Sequence, residues 1–500
     1  MSGNGVRRVP TGVSGLDQIM QGGLSEGRST LAIGAAGTGK TTLGGQFLSA
    51  ACREGQGAVF VTFEETASDL RRNFSNLGID VGAWESQDLW RFVDASPVGE
   101  IAALDEGDDI NFDTLMAQIG HAVDATAATR LVLDSLNVAL ESARDRRRAR
   151  QQLRRLSGDL RRLGLTVLMT LEVTGDSDGA SLLGFEQFVV DNVVILRNSL
   201  EQEKRRRTIE VLKMRGAMHR KGEFPFTVLP RQGIVVIPLS VLELTQSSTD
   251  TRISSGNAEL DNICEGGFFR DSVVLVSGAT GTGKTLLVTE FLAGGAAAGE
   301  RSLLFAFEES RDQIFRNAKG WGHDFEDFER RGLLRVEATY PETASLEDHL
   351  VEMTHQLQTF RPARVAIDSL SALERSGGLR GFREFIIVLT SYVKGQQVAG
   401  LFTSSAPTLL GGSSATDGHI STLTDSIILL RYVEVESEVK RGITVLKMRG
   451  SGHDRRIRQF TIDDKGMHIG EPFAGVSGIL SGHVVAPPEP LVESAEAQGG

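Results

Sequence analysis

The feature that most constrains this chain is a glycine-rich motif that occurs twice. Residues 34–41 read GAAGTGKT and residues 278–285 read GATGTGKT, so both fit the pattern G-x-x-x-x-G-K-[ST] directly after an apolar run. In such a phosphate loop (P-loop) the glycines let the backbone wrap an anion, the next helix N-terminus adds positive dipole, and the lysine adds charge. Each motif therefore predicts a strand, a loop and a helix that bind a nucleoside triphosphate.

The two P-loops belong to a tandem repeat. Their lysines, Lys40 and Lys284, lie 244 positions apart (284 − 40), whereas Asp134 and Asp368 and the residues that follow them match at 234 positions (368 − 134). A deletion from the second half, opposite residues 102–111, accounts for the change of offset. The 500 residues are therefore expected to form two domains of similar size, each with its own core.

Apolar runs alternate with helical patterns in both halves, which predicts an α/β fold: two tandem domains, each a mostly parallel twisted sheet flanked by helices. We assign residues 1–246 to the first domain, 247–482 to the second, and 483–500 to a disordered tail rich in Pro, Glu and Ala. Residues 146–163 are expected to form a helix whose arginines face solvent or another subunit. The basic residues 205–207 are expected in a turn.

Composition narrows the class of protein. Lys and Arg number 53 against 65 Asp and Glu, a net charge of −12, which disfavours a nucleic acid as the main partner. The two cysteines, Cys52 and Cys264, lie in different halves and are expected to be buried, reduced thiols. With no apolar signal segment and no run of membrane-spanning length, we expect a cytoplasmic protein without membrane contact.

Acidic residues follow the strands beyond each P-loop. Asp134 and Asp368 each end an apolar run, where they are expected to hold Mg²⁺ together with the P-loop hydroxyls of Thr41 and Thr285. The pair Glu64 and Glu65, and its counterpart Glu308 and Glu309, begins 24 residues after the P-loop lysine of its half (64 − 40; 308 − 284). We expect these pairs to end the strand next to the P-loop strand and to supply a general base, with Glu308 also a candidate Mg²⁺ ligand.

A late hairpin in each half carries two cations on one face. Lys213 and Arg215 alternate with Met214, and Lys447 and Arg449 alternate with Met448. Because no phosphate site in the same half needs two more cations so late in the fold, we interpret these residues as reaching the γ-phosphate on a neighbouring subunit. A head-to-tail contact of this kind predicts a ring of identical subunits.

The order of motifs resembles the RecA-like ATPases and, more closely, the KaiC family of circadian clock ATPases. The residues that carry the resemblance include PTGVSGLD, VTFEET, DNVVILRN and KGEFPFT in the first half, and FEESR, PARVAIDSLSAL, HISTLTDSIILLRYVE and KMRGSGHD in the second. The resemblance implies a double-ring homohexamer that binds ATP and Mg²⁺ between subunits. It also implies slow ATPase activity in the first tier, and autokinase and autophosphatase activity in the second.

The resemblance further assigns individual residues. Only the second half reads GHISTLTD where the first reads GFEQFVVD, so Ser421 and Thr422 match the family's phosphorylation sites, with Glu308 as their base, whereas Glu64 would position water. The ATP-binding residues it implies in the first half are Gly37, Thr38, Gly39, Lys40, Thr41, Thr42, Lys213, Met214, Arg215 and His219. In the second half they are Thr280, Gly281, Thr282, Gly283, Lys284, Thr285, Leu286, Trp321, Arg441, Lys447, Met448, Arg449 and His453.

The partners implied are further copies of this chain and KaiB, which would bind the first tier. Control by KaiA is not expected, because the residues after 482 do not resemble the family's KaiA-binding segment. Two alternatives from other classes are a DNA-dependent RecA-like motor and a signalling scaffold that uses nucleotide only to assemble. The acidic composition argues against the motor, and unchanged turnover in Glu64→Gln and Glu308→Gln variants would favour the scaffold.

Overall fold

The structure is a computed structural model, and it describes residues 7–95, 112–141, 146–173, 189–201, 204–237, 248–405, 420–435 and 437–474. The chain divides into two compact units, Met1–Leu242 and Glu243–Gly500. The boundary expected at 246/247 and the expected tail both fall outside the described residues. No helix in the described parts is long and apolar enough to cross a membrane.

The first unit contains a nine-stranded sheet in the order β11-β10-β9-β8-β3-β7-β6-β4-β5. The six strands β8, β3, β7, β6, β4 and β5 are parallel to one another. Strands β9, β10 and β11 continue the sheet beyond β8 through antiparallel pairs. The strands are β1 Arg8–Val9, β2 Leu24–Ser25, β3 Ser29–Gly34, β4 Gly57–Thr62, β5 Trp90–Asp94, β6 Ala128–Asp134, β7 Thr166–Glu172, β8 Asn192–Glu201, β9 Lys204–Met214, β10 Glu223–Leu229 and β11 Gly233–Val236. The helices are α1 Ser14–Ile19, α2 Lys40–Arg53, α3 Ala67–Asn76, α4 Val81–Glu85, α5 Phe112–Thr126, α6 Leu136–Glu141 and α7 Arg146–Arg162.

The second unit repeats this plan, with a sheet in the order β16-β15-β17-β18-β14-β19-β20-β21-β22. Its strands are β12 Arg252–Ile253, β13 Phe268–Phe269, β14 Val273–Gly278, β15 Ser302–Ala306, β16 Leu334–Ala338, β17 Arg364–Asp368, β18 Ala399–Ser405, β19 Ser426–Val435, β20 Glu438–Met448, β21 Arg458–Asp463 and β22 Gly466–Pro472. Its helices are α8 Ala258–Ile263, α9 Lys284–Ala297, α10 Arg311–Gly320, α11 Phe325–Arg330, α12 Leu346–Phe360, α13 Leu370–Ser376, α14 Leu379–Gly395 and α15 Ile420–Leu423, with a 3₁₀ turn at Pro341–Thr343. The expectation of two α/β units with mostly parallel sheets is confirmed.

The apolar strands of the sequence lie in the middle of these sheets. Every residue of β3 is buried; Leu31 and Ile33 contribute to the core on one face, and Ala32 to the core on the other. Helix α2 covers the second face through residues such as Phe47, and α7 covers the first through residues such as Leu153. Burial on both faces explains why these strands are continuous apolar runs without alternation.

Helix α7 buries a stripe of leucines, and its arginines at positions 147, 150, 154, 155, 161 and 162 are exposed, as expected. Leu153, Leu156 and Leu160 are buried, whereas Leu163, one residue beyond the helix, is 42% exposed. The expected helix over residues 146–163 is therefore confirmed to within one residue.

Two expectations about strands were wrong. Residues 205–207 are not a turn but part of β9, where Arg207 pairs with Asn198 of β8. Arg205 is exposed and Arg206 and Arg207 are half-buried, so this part of the hairpin lacks the apolar signal of a core strand. The strand that precedes Glu64 does not neighbour the P-loop strand either: β7 and β6 lie between β3 and β4.

Both cysteines are buried and free, Cys52 on α2 and Cys264 directly after α8. Burial raises the pKa of each thiol to about 12. The expectation of buried, reduced thiols is confirmed for the two side chains.

Candidate functional site

Each P-loop joins the end of a central strand to the start of a helix, as the motif predicts. In the first unit β3 ends at Gly34 and α2 begins at Lys40; in the second, β14 and α9 have the same relation. The loops need backbone conformations that L side chains rarely adopt, with φ of 72° at Gly37 and 96° at Gly39. The corresponding values are 79° at Gly281 and 107° at Gly283. These turns require glycine, and they direct backbone N–H groups into one concave loop.

The P-loop lysines are buried within these loops. Lys40 Nζ donates hydrogen bonds to the carbonyls of Gly34 at 2.9 Å and Ala35 at 2.8 Å. Lys284 Nζ makes the same two bonds in its own loop, both at 2.9 Å. Burial lowers the pKa of Lys284, although nearby carboxylates raise it again in part. A buried cation with backbone partners can exchange them for phosphate oxygens, which form stronger charge-assisted bonds.

Asp134 and Asp368 end β6 and β17, and each carboxylate is held by a threonine on the adjacent strand. Thr170 Oγ1 donates to Asp134 Oδ1 at 2.6 Å, and Thr403 Oγ1 donates to Asp368 Oδ1 at 2.5 Å. In the second unit the P-loop hydroxyl of Thr285 donates to Asp368 Oδ2 at 2.8 Å. Burial raises the pKa of both aspartates, and these hydrogen bonds oppose it.

These oxygens fit Mg²⁺. The hydroxyl of Thr285 and the carboxylate of Asp368 lie in contact at the N-terminus of α9, and a hydrogen bond from Thr41 likewise reaches Asp134. Hydroxyl and carboxylate oxygens of this kind, with waters, are the ligands that Mg²⁺ takes beside a bound triphosphate. The described residues contain no cluster of three or more His, Cys, Asp or Glu side chains suited to another type of metal site.

The carboxylate pairs lie just beyond β4 and β15, and their members differ. Glu65 accepts a hydrogen bond from Asn73 Nδ2, and Glu309 accepts one from Asn317 Nδ2, each at 2.9 Å. Burial raises the pKa of Glu65 and of Glu309, with a further contribution from the aspartate of the same site. Glu308 instead forms an ion pair with Arg375 at 3.1 Å.

Glu308 follows β15, which is not next to the P-loop strand β14, but its side chain still lies near the P-loop. Its charge raises the pKa of both Lys284 and Asp368, so the side chain lies within electrostatic reach of the P-loop lysine and the Mg²⁺ ligand. The parallel strands bring these groups together because their carboxyl ends share one edge of the sheet.

The P-loop of each unit lies at the edge of the sheet formed by the carboxyl ends of the parallel strands. The expected γ-phosphate cations lie toward the opposite edge, where these strands begin. Lys213 is level with Val193, which is level with Leu31 of β3, three residues before the P-loop begins. At 3.3 Å per residue this separates Lys213 from its own P-loop by about 10 Å along the strand. The second unit repeats this register, because Lys447 is level with Ile427 and Ile427 with Leu275.

Each of these cations is tied to the chain segment that precedes β8 or β19. Lys213 Nζ donates to the Val190 carbonyl and Lys447 Nζ to the Thr424 carbonyl, both at 2.7 Å. Arg449 Nη2 donates to the Thr422 carbonyl at 3.0 Å. Burial and the adjacent arginine lower the pKa of both lysines.

The expected phosphate acceptors lie at this same edge. Ser421 and Thr422 belong to α15, directly before β19, and the side chain of Thr422 is exposed. Ser426 of β19 is level with Val274, and four residues of β14, about 13 Å, separate Val274 from Gly278. The acceptors and the cations Lys447 and Arg449 thus form one edge of the unit, while the P-loop and Glu308 form the other.

The second hairpin of each sheet packs over the P-loop helix. A Cβ added at Gly283 would lie 3.0 Å from Ile462 Cδ1, and one at Gly39 would lie 3.6 Å from Ile234 Cδ1. Trp321 directly follows α10 in the second unit and packs against the same core as Ile462, and Leu77 directly follows α3 in the first. Trp321, an expected ATP-binding residue, and Leu77 thus hold equivalent positions in the two units.

The remaining expected ATP-binding residues divide between side chains near the surface and side chains in the core. Arg441 lies over the Tyr432 ring at 5.9 Å, and the Tyr432 hydroxyl borders Gly281, so Arg441 belongs to the edge of its own P-loop. His219 and His453 are half-buried in the loops after the cations, and burial lowers the pKa of His219. Three others, Met214, Met448 and Leu286, have buried side chains in the cores.

Sequence reasoning missed several residues that contact the site. Thr170 and Thr403 hold the aspartates, Arg375 pairs with Glu308, and Glu172 lies 3.4 Å from Lys40 Nζ. Thr170, Thr403 and Glu172 had a usable signal. Each is a hydroxyl or carboxylate residue near the end of the next apolar strand in the chain after Asp134 or Asp368. Arg375 had none, because it lies within a helix.

A further missed pair holds the hairpin to the P-loop helix. Glu290 of α9 accepts hydrogen bonds from Met467 N at 2.7 Å and Asn257 Nδ2 at 3.1 Å. Gln46 of α2 occupies the same place in the first unit, and its Oε1 accepts from Ile234 N at 2.7 Å. Because Glu290 is only 4% exposed, burial raises its pKa to about 7.

Comparison with known proteins agrees with this geometry. A family model described as "ATPase: KaiC" matches the chain twice, over residues 9–241 and 253–473. The circadian clock protein KaiC3 of Synechocystis sp. is 55% identical over 96% of this chain and 95% of its own length. The circadian clock oscillator protein KaiC of Synechococcus elongatus is 46% identical, and that of Thermostichus vulcanus 45% identical, each over 95% of this chain and 92% of its own length. The resemblance seen in the motifs is confirmed: the chain belongs to the KaiC family of ATPases, with two tandem RecA-like units.

Proposed function

We propose that the protein is an ATP-hydrolysing, autophosphorylating and autodephosphorylating serine/threonine kinase of a KaiC-type circadian clock or timer. It works as a homohexamer in which each nucleotide lies between adjacent subunits. Residues 1–246 carry the ATPase tier, and residues 247–482 carry the kinase and phosphatase tier. The names of the relatives support the clock role, and the family supports the ATPase activity.

The observation that carries the proposal is the separation of donor and acceptor groups within one unit. The P-loop, Asp368 and Glu308 lie at one edge of the second sheet, and Thr422, Lys447 and Arg449 lie at the other. A single subunit cannot bring both edges to one phosphate without breaking the sheet. Two subunits placed head to tail can, and repetition of that contact closes a ring.

In the second tier, Lys284 and the P-loop N–H groups hold the phosphates of ATP, and Thr285 and Asp368 would hold Mg²⁺, which would neutralise part of the phosphate charge. Lys447 and Arg449 of the neighbouring subunit approach the γ-phosphate together with Ser421 and Thr422. The hydroxyl oxygen of Ser421 or Thr422 forms a bond to the γ-phosphorus while the bond between that phosphorus and the ADP oxygen breaks. Glu308 accepts the proton that the hydroxyl loses. Arg375 orients Glu308 for this role, because it is its ion-pair partner.

In the first tier, the residues aligned with Ser421 and Thr422 are Gln187 and Phe188, and neither carries a hydroxyl. Water is therefore the acceptor, with Glu64 orienting it and Lys213 and Arg215 of the neighbour at the γ-phosphate. KaiB is the expected partner of this tier, and control by KaiA is not expected.

The test is phosphate incorporation from radiolabelled Mg·ATP, followed by mapping of the labelled peptides. Label is expected in the peptide that contains Ser421 and Thr422. Glu308→Gln should lower incorporation at least about 100-fold, since a positioned general base contributes roughly 10²- to 10⁴-fold. Glu64→Gln is the matched control: it should lower ATP hydrolysis and leave incorporation nearly unchanged. Label at other residues only, or incorporation that survives Glu308→Gln, would contradict the kinase assignment.

A further inference from the structure

A lysine outside the proposed mechanism lies beside the expected phosphate acceptors. Lys394 belongs to the last turn of α14, the helix that packs against the acceptor helix α15. Its Nζ lies 2.9 Å from Asp425 Oδ1 and 2.8 Å from Oδ2, and it also donates to the carbonyl of Leu423 at 3.4 Å. Because Leu423 is the last residue of α15, one ammonium joins the end of the acceptor helix to the aspartate that follows it.

Asp425 is itself fixed to the central strand of the sheet. Its N–H donates to the Val273 carbonyl at 2.9 Å, and its Oδ2 accepts a hydrogen bond from Val273 N, also at 2.9 Å. Val273 begins β14, the strand that leads into the second P-loop. The side chain of Lys394 is 20% exposed and that of Asp425 17% exposed, so water screens their pairing only in part. Lys394 therefore ties α15 to the sheet through Asp425.

The two other cations at this segment have a second task in the proposed mechanism. Lys447 and Arg449 bind the carbonyls of Thr424 and Thr422, and they are also the groups proposed to approach the γ-phosphate of the neighbouring subunit. A phosphate oxygen competes with these carbonyls for the same N–H groups, since its charge-assisted hydrogen bonds are stronger. Lys394 is paired with Asp425 instead, so it can keep hold of α15 while the phosphate is bound.

The first unit, which has no hydroxyls at the aligned acceptor positions, arranges its cations differently. Its equivalent aspartate, Asp191, lies 3.8 Å from Arg28, the residue directly before β3. The second unit has Ser272 at that place. The helix equivalent to α14 is α7, and Arg161 and Arg162 in its last turn are exposed. Within the described part of the chain, the link from this helix to the aspartate is therefore specific to the unit with the acceptors.

We propose that Lys394 is a positioning residue that directs the γ-phosphoryl group to the protein rather than to water. The proposal rests on the kinase activity proposed above. By holding α15, Lys394 keeps the hydroxyl of Ser421 or Thr422 in place for transfer across the subunit boundary. Water can attack the same phosphorus; in both reactions ADP leaves and the attacking oxygen gives its proton to the base. Loss of the Lys394 contacts should lower transfer to protein at least about tenfold, since a misplacement on the order of 1 Å can cost about 100-fold in rate.

The experiment measures two initial rates with γ-labelled Mg·ATP and the full-length chain: label entering the peptide with Ser421 and Thr422, and release of inorganic phosphate. Glu64→Gln is present throughout, so that the released phosphate comes from the second tier. Lys394→Met keeps the aliphatic stem and removes the ammonium. It is expected to lower incorporation at least about tenfold and to leave phosphate release unchanged or higher. A general defect of the unit would lower both rates together.

Three further variants separate positioning from other effects. Lys394→Arg keeps a cation that can bond both Asp425 and α15, and it should restore most of the incorporation. Asp425→Asn keeps an oxygen that can accept from Val273 N but loses the charge that pairs with Lys394, so it should reproduce the selective loss. Arg161→Met is the matched control: it removes a cation from the equivalent helix of the first unit and should leave both rates unchanged.

Undiminished incorporation in Lys394→Met, or in Asp425→Asn should the first variant not fold, would overturn the proposal. A fall in incorporation that is matched by an equal fall in phosphate release would overturn it as well. Each of these results would leave the kinase assignment intact. If the chain without the Lys394 and Asp425 substitutions incorporated no label at Ser421 or Thr422, the kinase assignment itself would fail, and this proposal with it.

Discussion

Glu290 gives the second unit a pH dependence that its counterpart Gln46 cannot give the first. Its carboxylate lies between the P-loop helix and the hairpin of β21 and β22, where it accepts hydrogen bonds from Met467 N and Asn257 Nδ2. Burial raises its pKa to about 7, with Glu259 raising it further and the two hydrogen bonds and His468 lowering it. The substitution Glu290→Gln copies the residue that the first unit already has at Gln46.

The magnitude follows from linkage between protonation and folding. The folded state, with a pKa of about 7, binds more protons than the unfolded state, whose reference pKa is 4.5. Between these values the free energy of unfolding therefore falls as the pH rises. The difference in pKa corresponds to a loss of about 3 kcal/mol between pH 4.5 and pH 8. Glu290→Gln should abolish that loss, and the second unit should be up to about 3 kcal/mol more stable than wild type at pH 8.

The assay is urea unfolding of the full-length chain between pH 5.5 and 8.5, followed by hydrogen exchange and mass spectrometry of peptides from each unit. Peptides from α9 and β22 report on the second unit. The matched control is Gln46→Glu, which places a carboxylate where Gln46 Nε2 donates to the carbonyls of Gln232 at 3.2 Å and Ile234 at 3.3 Å. It should destabilise the first unit as the pH rises. A Glu290→Gln variant in which the pH dependence of the second unit is unchanged, or in which that unit is less stable at pH 8, would contradict this role of Glu290.

Three further predictions concern single contacts. Thr403→Val removes the hydroxyl that holds Asp368 and should lower Mg²⁺-dependent phosphate incorporation by about tenfold or more, since a hydrogen bond to a charged group contributes roughly 1.5–3 kcal/mol; undiminished incorporation at limiting Mg²⁺ would refute this. Arg364→Ala removes bonds to the Ser254 and Phe291 carbonyls and to a glutamate, and should destabilise the second unit by about 3 kcal/mol or more in urea titrations; a loss below 1 kcal/mol would contradict it. Both cysteines should react with a maleimide at pH 8 only as the chain unfolds, because burial raises their thiol pKa values to about 12; rapid labelling of folded protein would disprove this.

Local sequence was sufficient for the parts of the site that depend on one strand and the loop after it. The P-loops, Asp134 and Asp368 lie where their motifs predict, because a buried strand, a tight turn and a helix N-terminus leave clear signals within about ten residues. The tandem plan was likewise visible, since two copies of one motif order leave two copies of one fold.

The order of the strands in each sheet, and the contacts between residues far apart in the chain, could not be predicted from local sequence. Parallel strands are joined by long crossover connections, so the residues around a strand do not indicate which strands lie beside it in the sheet. For this reason the sequence did not predict that β7 and β6 separate β3 from β4. Lys40 and Glu172 meet from positions 132 residues apart, and Glu290 and Met467 from positions 177 apart. The arginines of β9 misled for a different reason, because this part of the hairpin lacks the apolar signal of a core strand.

In the proposed mechanism each active site is built from two subunits, and mixing two inactive variants is a direct test of this claim. Lys284→Ala disables the P-loop, and Lys447→Ala disables the cation at the opposite edge. In a mixed ring, some interfaces join the intact Lys284 of one variant to the intact Lys447 of the other. Phosphate incorporation should therefore reappear on mixing and pass through a maximum at intermediate ratios. Incorporation that stays at the level of the separate variants at every ratio would contradict the claim.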